Sequence, residues 1–316
     1  MADINPVSAG KRRIVLGSRG SELARRQTAL VEERLRAAAP DLEVEIKIIR
    51  TRGDEGGADR PVVDASQGRK GMFTAEIERA LRAGQIDAAV HSAKDLPSEM
   101  TAGLAVCATL ARAPMEDVLI SKEGGGFDAI PQGATIATGS VRRQHQLRRL
   151  RPDLEVVDLR GNVPTRVRKL AANPWAGIIL ARAGLERLGY DCTRGHLDFE
   201  GSSFGLTRLR MEDFLPAGGQ GVIALQACSD DAEICDLLGS INHVETFHCL
   251  CAEREFLRLL QGDCGTPVGV IAIAEGGSMT MRAQLFDGKS GEVKTAVASG
   301  KEPKTLAAQL WEMING

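Results

Sequence analysis

Residues 13–50, RIVLGSRGSELARRQTALVEERLRAAAPDLEVEIKIIR, decide the fold. The opening RIVLG is a short apolar run of the buried-strand type. SELARRQTALVEERLRAAA then places apolar residues at helical spacing behind a serine suited to capping the first turn. LEVEIKIIR alternates as a strand, GMFTAEIERALRAG reads as a second helix and IDAAVHS as a third strand. A βαβαβ order of this kind demands crossovers, and crossovers predict a mostly parallel sheet with helices on its faces.

Past Pro114 the pattern restarts, with ATIATG, LEVVDLR and GIILA as strands and SVRRQHQLRRL and NVPTRVRKLAA as helices. GSRGSELARRQ and TGSVRRQHQL both pass from strand to helix through a serine beside an arginine, a junction that aims free helix amides at whatever lies above the strand ends. Beyond Phe247 the texture changes: the helix VETFHCLCAEREFLRLL precedes VGVIAIA, MTMRAQLFD and VKTAVAS, which read as antiparallel strands, and TLAAQLWEMI, which reads as a closing helix. Asn242 and Glu245 are the expected N-cap and N3 pair of the first of these helices, and Gly262 its expected end. The predicted fold class is α/β: two similar α/β domains around a cleft, periplasmic-binding-protein-like, plus a small C-terminal α+β domain with an antiparallel sheet. Expected boundaries are 11–110 with 217–240, 114–214, and 244–316. Residues 1–10 lack periodicity and read as a disordered lead-in, and the glycine-rich stretch 51–71 reads as a lid or binding loop.

The 316 residues carry a formal net charge of only −2, which argues against nucleic acid as a global partner. Charge is unevenly placed, however. Between Val141 and Leu170 nine Lys or Arg face three acids, a local excess of +6, in a stretch without aromatic stacking platforms, so a small anionic ligand fits better than a single strand. Arg148, Arg149, Arg151, Arg168 and Lys169 read as a solvated helix face. Seven cysteines without framework spacing, and the lack of a signal-peptide pattern, point to a reducing cytoplasm; no apolar run is long enough for a membrane span.

HSAKDLPSE, residues 91–99, puts His91, Ser92, Lys94 and Asp95 at the carboxyl end of the first sheet, where such folds bind ligands. Spacing alone leaves Asp95 two roles: an ion pair with Lys94 or an arginine, or a charge that stabilises a developing cation. His91 reads as a hydrogen-bonded strand-end residue. His248, Cys249 and Cys251 are spaced on one helix too tightly for a tetrahedral metal site, so no metal is expected. Cys107, Cys228, Cys249 and Cys251 sit in apolar settings and read as packing, whereas Cys264 lies in the polar turn LQGDCGTPVGV, which fits a surface or cleft position.

Together SRGSELARRQ, TRGD, GRKGMF, DAAVHSAKDLP, ATGSVRRQHQL, LRGNVPTR, GIILARAGLERLG, PAGGQG and GDCGTPVG resemble, in order and spacing, the porphobilinogen deaminase (hydroxymethylbilane synthase) family over residues 13–270. The resemblance implies a transferase that condenses four porphobilinogen molecules head to tail, releasing ammonia, into hydroxymethylbilane. It implies a covalent dipyrromethane cofactor on Cys264, whose thiolate would attack the azafulvene left when ammonia departs. By the same resemblance Asp95 is the catalytic carboxylate, and Ser92, Lys94, Thr138, Ser140, Arg142, Arg143 and Arg166 bind the cofactor. Arg19, Ser21, Arg160 and Arg187 meet substrate, and Lys70 and Phe73 belong to the lid loop. A cytoplasmic monomer is expected, with porphobilinogen as its small-molecule partner and neither nucleic acid nor membrane.

Three departures stand out. Asp263 replaces the second glycine often found before the cofactor cysteine, Gly139 replaces a serine, and the 54–73 loop is longer than in some relatives, with Ser66 near a lysine position. The competing reading is a non-catalytic binding protein for small anions, which the fold class alone would equally allow. Asp95 and the turn-borne Cys264 distinguish the two, since an anion receptor needs neither tether nor cleft carboxylate.

Overall fold

The computed structural model describes residues 13–50, 74–261, 266–288 and 291–316. In chain order the elements begin β1 Arg13–Arg19, α1 Glu22–Ala38, β2 Glu43–Ile49, α2 Ala75–Arg82, β3 Ala88–Ser92, β4 Leu104–Thr109 and β5 Asp117–Ser121. They continue β6 Thr135–Ala137, α3 Val141–Leu150, β7 Glu155–Val157, α4 Val163–Ala172, β8 Gly177–Ala181, α5 Arg182–Arg187, β9 His196–Phe199, β10 Ser202–Arg208 and β11 Ile223–Cys228. Last come α6 Ala232–Gly239, α7 Val244–Leu259, β12 Val268–Glu275, β13 Ser278–Phe286, β14 Val293–Gly300 and α8 Pro303–Asn315.

Helix α1 shows how the sequence builds these units. Ser21 caps it, its Oγ accepting from Ala24 N, Glu22 lies in the first turn and Arg36 in the last, in keeping with the helix dipole. Its buried residues Ala24, Gln27, Thr28, Val31 and Leu35 recur at three- and four-residue steps and so share one face. That face closes a core with Ile14, Leu16, Val90 and Leu225. Truncating the fully buried Leu35 to Ala would cost about 2–5 kcal/mol.

The first sheet runs β2-β1-β3-β11-β4 and the second β7-β6-β8-β5-β10-β9, each combining parallel and antiparallel pairs. The parallel βαβαβ core is present as predicted, with β1 parallel to both β2 and β3. The sheets are nevertheless mixed, which corrects the mostly parallel expectation. β11 returns from far along the chain to lie antiparallel between β3 and β4, and β5 lies antiparallel to both β8 and β10. Local periodicity reports a strand but not its direction or its neighbours.

The third sheet, β12-β13-β14, is wholly antiparallel, and α7 and α8 bury Phe256, Leu306 and Leu310 against Met281 and Ala298 on one of its faces. Its leading helix is capped differently from the prediction. His243 is the N-cap of α7, its Nδ1 accepting from Thr246 N, because the Asn242 side chain is already committed to the Thr109 N–H at 2.9 Å. The helix ends at Leu259; Gly262 lies outside the described residues.

Glu253 of α7 fastens the units together. Wholly buried, it accepts from Arg112 at 2.5 and 3.2 Å, from Gly219 N at 2.6 Å and from Ala272 N at 2.8 Å. One carboxylate thereby joins the connection between the first two sheets, the PAGGQG turn and β12. Its charge is matched by a guanidinium and two backbone donors, the condition under which a buried ion is tolerated.

Candidate active site

The carboxyl ends of β1 and β3 and the start of α1 form an open hollow lined by Arg19, Ser21, Gln27, Thr74, His91, Ser92 and Asp95. A second hollow adjoins it, lined on one side by Gln27, Ser92, Lys94 and Gly219 and on the other by Ala181, Gly184 and Arg187. The two α/β units therefore face each other across one continuous cleft.

Ser92 and Gln27 hold each other across its floor, Gln27 Nε2 donating to Ser92 Oγ at 2.9 Å. Behind them His91, 4% exposed, donates from Nε2 to Gln226 Oε1 at 3.0 Å, and Gln226 Nε2 donates to Glu78. Burial pushes the imidazole down to about 4, so the ring is neutral at physiological pH and serves as the strand-end residue its position predicts.

Lys94 and Asp95 lie on the single helical turn Ala93–Asp95 that continues β3. Lys94 reaches into cleft water, yet the protein around it, and then Arg143, push its ammonium down to about 8, with Asp95 opposing the shift. Arg166, near the start of α4, is driven down to about 10 by burial and then by Arg143, again with Asp95 opposing. Burial alone takes Arg187 down to about 10, and its Nη2 donates to Gly221 O at 2.6 Å. Asp95 thus sits among cations from both sides of the cleft that outnumber it, an environment that favours added carboxylates.

Arg142 and Arg143 occupy the first turn of α3 behind the Ser140 cap, whose Oγ accepts from Arg143 N. Both are about 5% exposed and turn inward. Arg142 Nη1 donates to Leu215 O at 2.7 Å and to Gln146 Oε1, while Arg143 donates to Ile179 O and to Asp117 Oδ1 at 2.7 Å. Burial would raise the Asp117 carboxyl, but the two guanidinium groups overcome it and hold it well below the usual range. The Nε atoms of Arg142 and Arg143 are buried without a hydrogen-bond partner among the described residues, so these cations are incompletely used.

Thr138 is buried at the end of β6, its Oγ1 accepting from Ser140 N at 3.4 Å. Arg160 is exposed and paired with Asp158 at 2.7 Å. Gly139 has a steric cause: a Cβ there would meet Leu159 O at 2.5 Å, so this backbone has no room for a side chain. Lys70, Phe73, Cys264 and Asp263 lie outside the described residues, as does Ser66.

Sequence reasoning missed Asp117, Gln27 and the service of the PAGGQG turn. Asp117 opens the otherwise apolar strand DVLIS, a polar residue at a core position, and that was its only signal. Gly218 packs where a Cβ would strike Leu257 at 2.9 Å, and Gly219, at φ +75°, where a Cβ would strike Ala93 C at 2.9 Å. Two adjacent glycines thus let the PAGGQG turn pack tightly between the end of α7 and the turn that bears Asp95.

The profile described as porphobilinogen deaminase, dipyromethane cofactor binding domain, matches residues 14–236, and that of the porphobilinogen deaminase C-terminal domain matches residues 247–315. A porphobilinogen deaminase of Syntrophomonas wolfei is 43% identical over 309 residues, covering 95% of this chain and 94% of its own. One from Roseiflexus is 42% identical over 275 residues, covering 87% and 86%. Among solved structures, the methionine binding protein MetQ aligns with a TM-score of 0.45 at 13% identity, covering 74% of this chain and 92% of its own. The VFT2 domain of Bordetella pertussis BvgS gives 0.43 at 19% identity, covering 73% and 85%.

Proposed function

Because the chain belongs to the porphobilinogen deaminase family, we propose that this cleft condenses four porphobilinogen molecules head to tail, with loss of ammonia, into hydroxymethylbilane, and that Asp95 is its catalytic carboxylate. The observation that carries the assignment is the placement of Asp95 on the turn after β3, among Lys94, Arg143 and Arg166.

The protein's own groups divide the work. Porphobilinogen carries an acetate and a propionate; Arg19, Ser21 and Arg187 line the cleft to meet them with guanidinium groups and the start of α1, and exposed Arg160, paired with Asp158, joins them by the LRGNVPTR motif. As ammonia leaves the aminomethyl group, positive charge spreads over the substrate pyrrole. Asp95 opposes that charge and accepts from the pyrrole N–H, so its attraction is strongest where the charge is greatest. His91, neutral, adds no competing cation beside it.

The dipyrromethane cofactor fits the residues present. Its carboxylates match the cations of Lys94, Arg142, Arg143 and Arg166 and the hydroxyl donors of Ser92, Thr138 and Ser140. When bound, the cofactor supplies the free pyrrole carbon on which the chain is extended. Its attachment to Cys264 rests on the GDCGTPVG motif; support comes from the glycine turn packed between the end of α7, which closes just before that segment, and the Asp95 turn.

The boundaries 11–110 with 217–240, 114–214 and 244–316 are supported by each sheet drawing its strands from one of these sets. No helix among the described residues is long and apolar enough to cross a membrane. Cysteine usage supports a cytoplasmic site of action.

Asp95→Asn tests the assignment. The isostere keeps the hydrogen bond while losing the charge, so ammonia release and bilane formation should fall by at least about 100-fold in a folded, cofactor-bearing variant. Near-normal turnover would remove Asp95 from the reaction.

A further inference from the structure

Away from the cleft, on the opposite edge of the first sheet, two thiols meet that the reaction does not use. Cys107 Sγ of β4 lies 2.7 Å from Cys235 Sγ of α6, although 128 positions separate them in the chain. Both are free and only partly buried.

A strand irregularity aims the first of them. Pairing between β11 and β4 passes from Leu225 opposite Ala108 to Gln226 opposite Val106, leaving Cys107 as the extra residue of a β-bulge. Consecutive strand residues ordinarily face opposite ways. Here Cys107 and Ala108 both join the core that holds Leu238, Ile234 and Cys235. Cys228, the nearest further thiol in sequence, turns the other way and donates to Leu81 O on the α2 side.

We propose that Cys107 and Cys235 are a covalent modification site, at which a hydroperoxide converts the two thiols to one disulfide joining β4 to α6. The chemistry balances with hydrogen peroxide as the oxidant. Cys235 sulfur attacks one peroxide oxygen, the O–O bond breaks, and the departing oxygen leaves as water with the thiol proton. Cys107 sulfur then displaces the new sulfenic hydroxyl, which leaves with the second thiol proton as another water, so two thiols lose two electrons and the peroxide gains them. Burial, and then the hydrogen bond with Cys235, push the Cys107 thiol up to about 12, so Cys107 is not the thiol that the peroxide meets first. Because α6 is the last helix before α7, the bond would fasten the sheet edge to the segment leading into the third sheet.

The test uses the reduced, cofactor-bearing wild-type chain, treated with hydrogen peroxide, alkylated and mapped by mass spectrometry. Two fewer alkylated thiols, a peptide linking Cys107 to Cys235 and a melting temperature raised by about 5 °C are expected, since the bond closes a long loop. Bilane formation should be retained, because neither sulfur lines the cleft. Cys235→Ser should abolish the linked peptide. Full alkylation of both thiols after treatment, or a linkage of Cys235 to Cys228 instead, would overturn the proposal, and this wild-type measurement does not depend on any variant folding.

Discussion

The Asp117 carboxylate lies 2.7 Å from the Arg143 guanidinium, with both side chains buried, and Arg142 lies 2.8 Å from its other oxygen. One buried acid therefore pairs with two cations at the start of α3 and leaves a net positive charge there. Gln220 of the PAGGQG turn donates to the same Asp117 oxygen at 2.9 Å, which ties the arginine pair to the turn beside Asp95. Removing one partner of such a cluster strands the other charges, and that cost exceeds what the cluster contributes over an apolar replacement. Asp117→Ala should lower stability by about 3–5 kcal/mol in urea unfolding. A loss within 0.5 kcal/mol, the range of ordinary surface substitutions, would show the cluster to be energetically idle.

Neutralising the buried pair should differ from neutralising its exposed neighbours. Arg143→Gln should produce protein with little dipyrromethane, because its cation both answers Asp117 and biases Lys94 and Arg166. Arg148→Gln and Arg149→Gln, at exposed positions of the same helix, should retain the cofactor and stay within about 0.5 kcal/mol of wild type. Intact-mass measurement of the adduct fraction decides it, and equal adduct in all three variants would remove Arg143 from cofactor binding.

Cys264 is expected to be the sole attachment point of the cofactor. The wild-type chain should be heavier than its sequence by two condensed pyrrole units, with the excess on a peptide containing Cys264. Cys264→Ser should have the bare mass and little activity. Cys249→Ser and Cys251→Ser should keep the adduct, since both thiols sit on α7 and burial raises the pKa of each. An active wild-type chain of bare mass would end the cofactor assignment.

His91 should make the fold sensitive to mild acid. Its folded pKa of about 4 lies below the ordinary value of 6.5, so between those values the unfolded chain binds more protons than the folded one. Stability then rises with pH across that window, and falls by up to about 3 kcal/mol as pH is lowered from 6.5 to 4. Urea midpoints for wild type and His91→Gln measure it: the variant should lose this part of the slope, and parallel profiles would contradict a buried neutral imidazole.

Most of the individual elements were legible in the chain itself, because helix and strand periodicity, the Ser21 and Ser140 caps and the glycine-marked motifs are local signals set by neighbours a few residues away. The helix start at Val244 shows the limit even there: Asn242 has the right chemistry for a cap, yet Thr109, distant in sequence, claims its side chain.

What only the tertiary structure decided are the relationships between remote segments. Asp117 reads as a lone acid in an apolar strand until burial brings Arg142 and Arg143 onto it, and Cys107 reads as packing until a bulge turns it to Cys235. The direction of β11 between β3 and β4 is of the same kind. Periodicity specifies which face of an element is apolar, whereas the partner of a buried charge or thiol depends on which surfaces the folded chain brings together and closes to water.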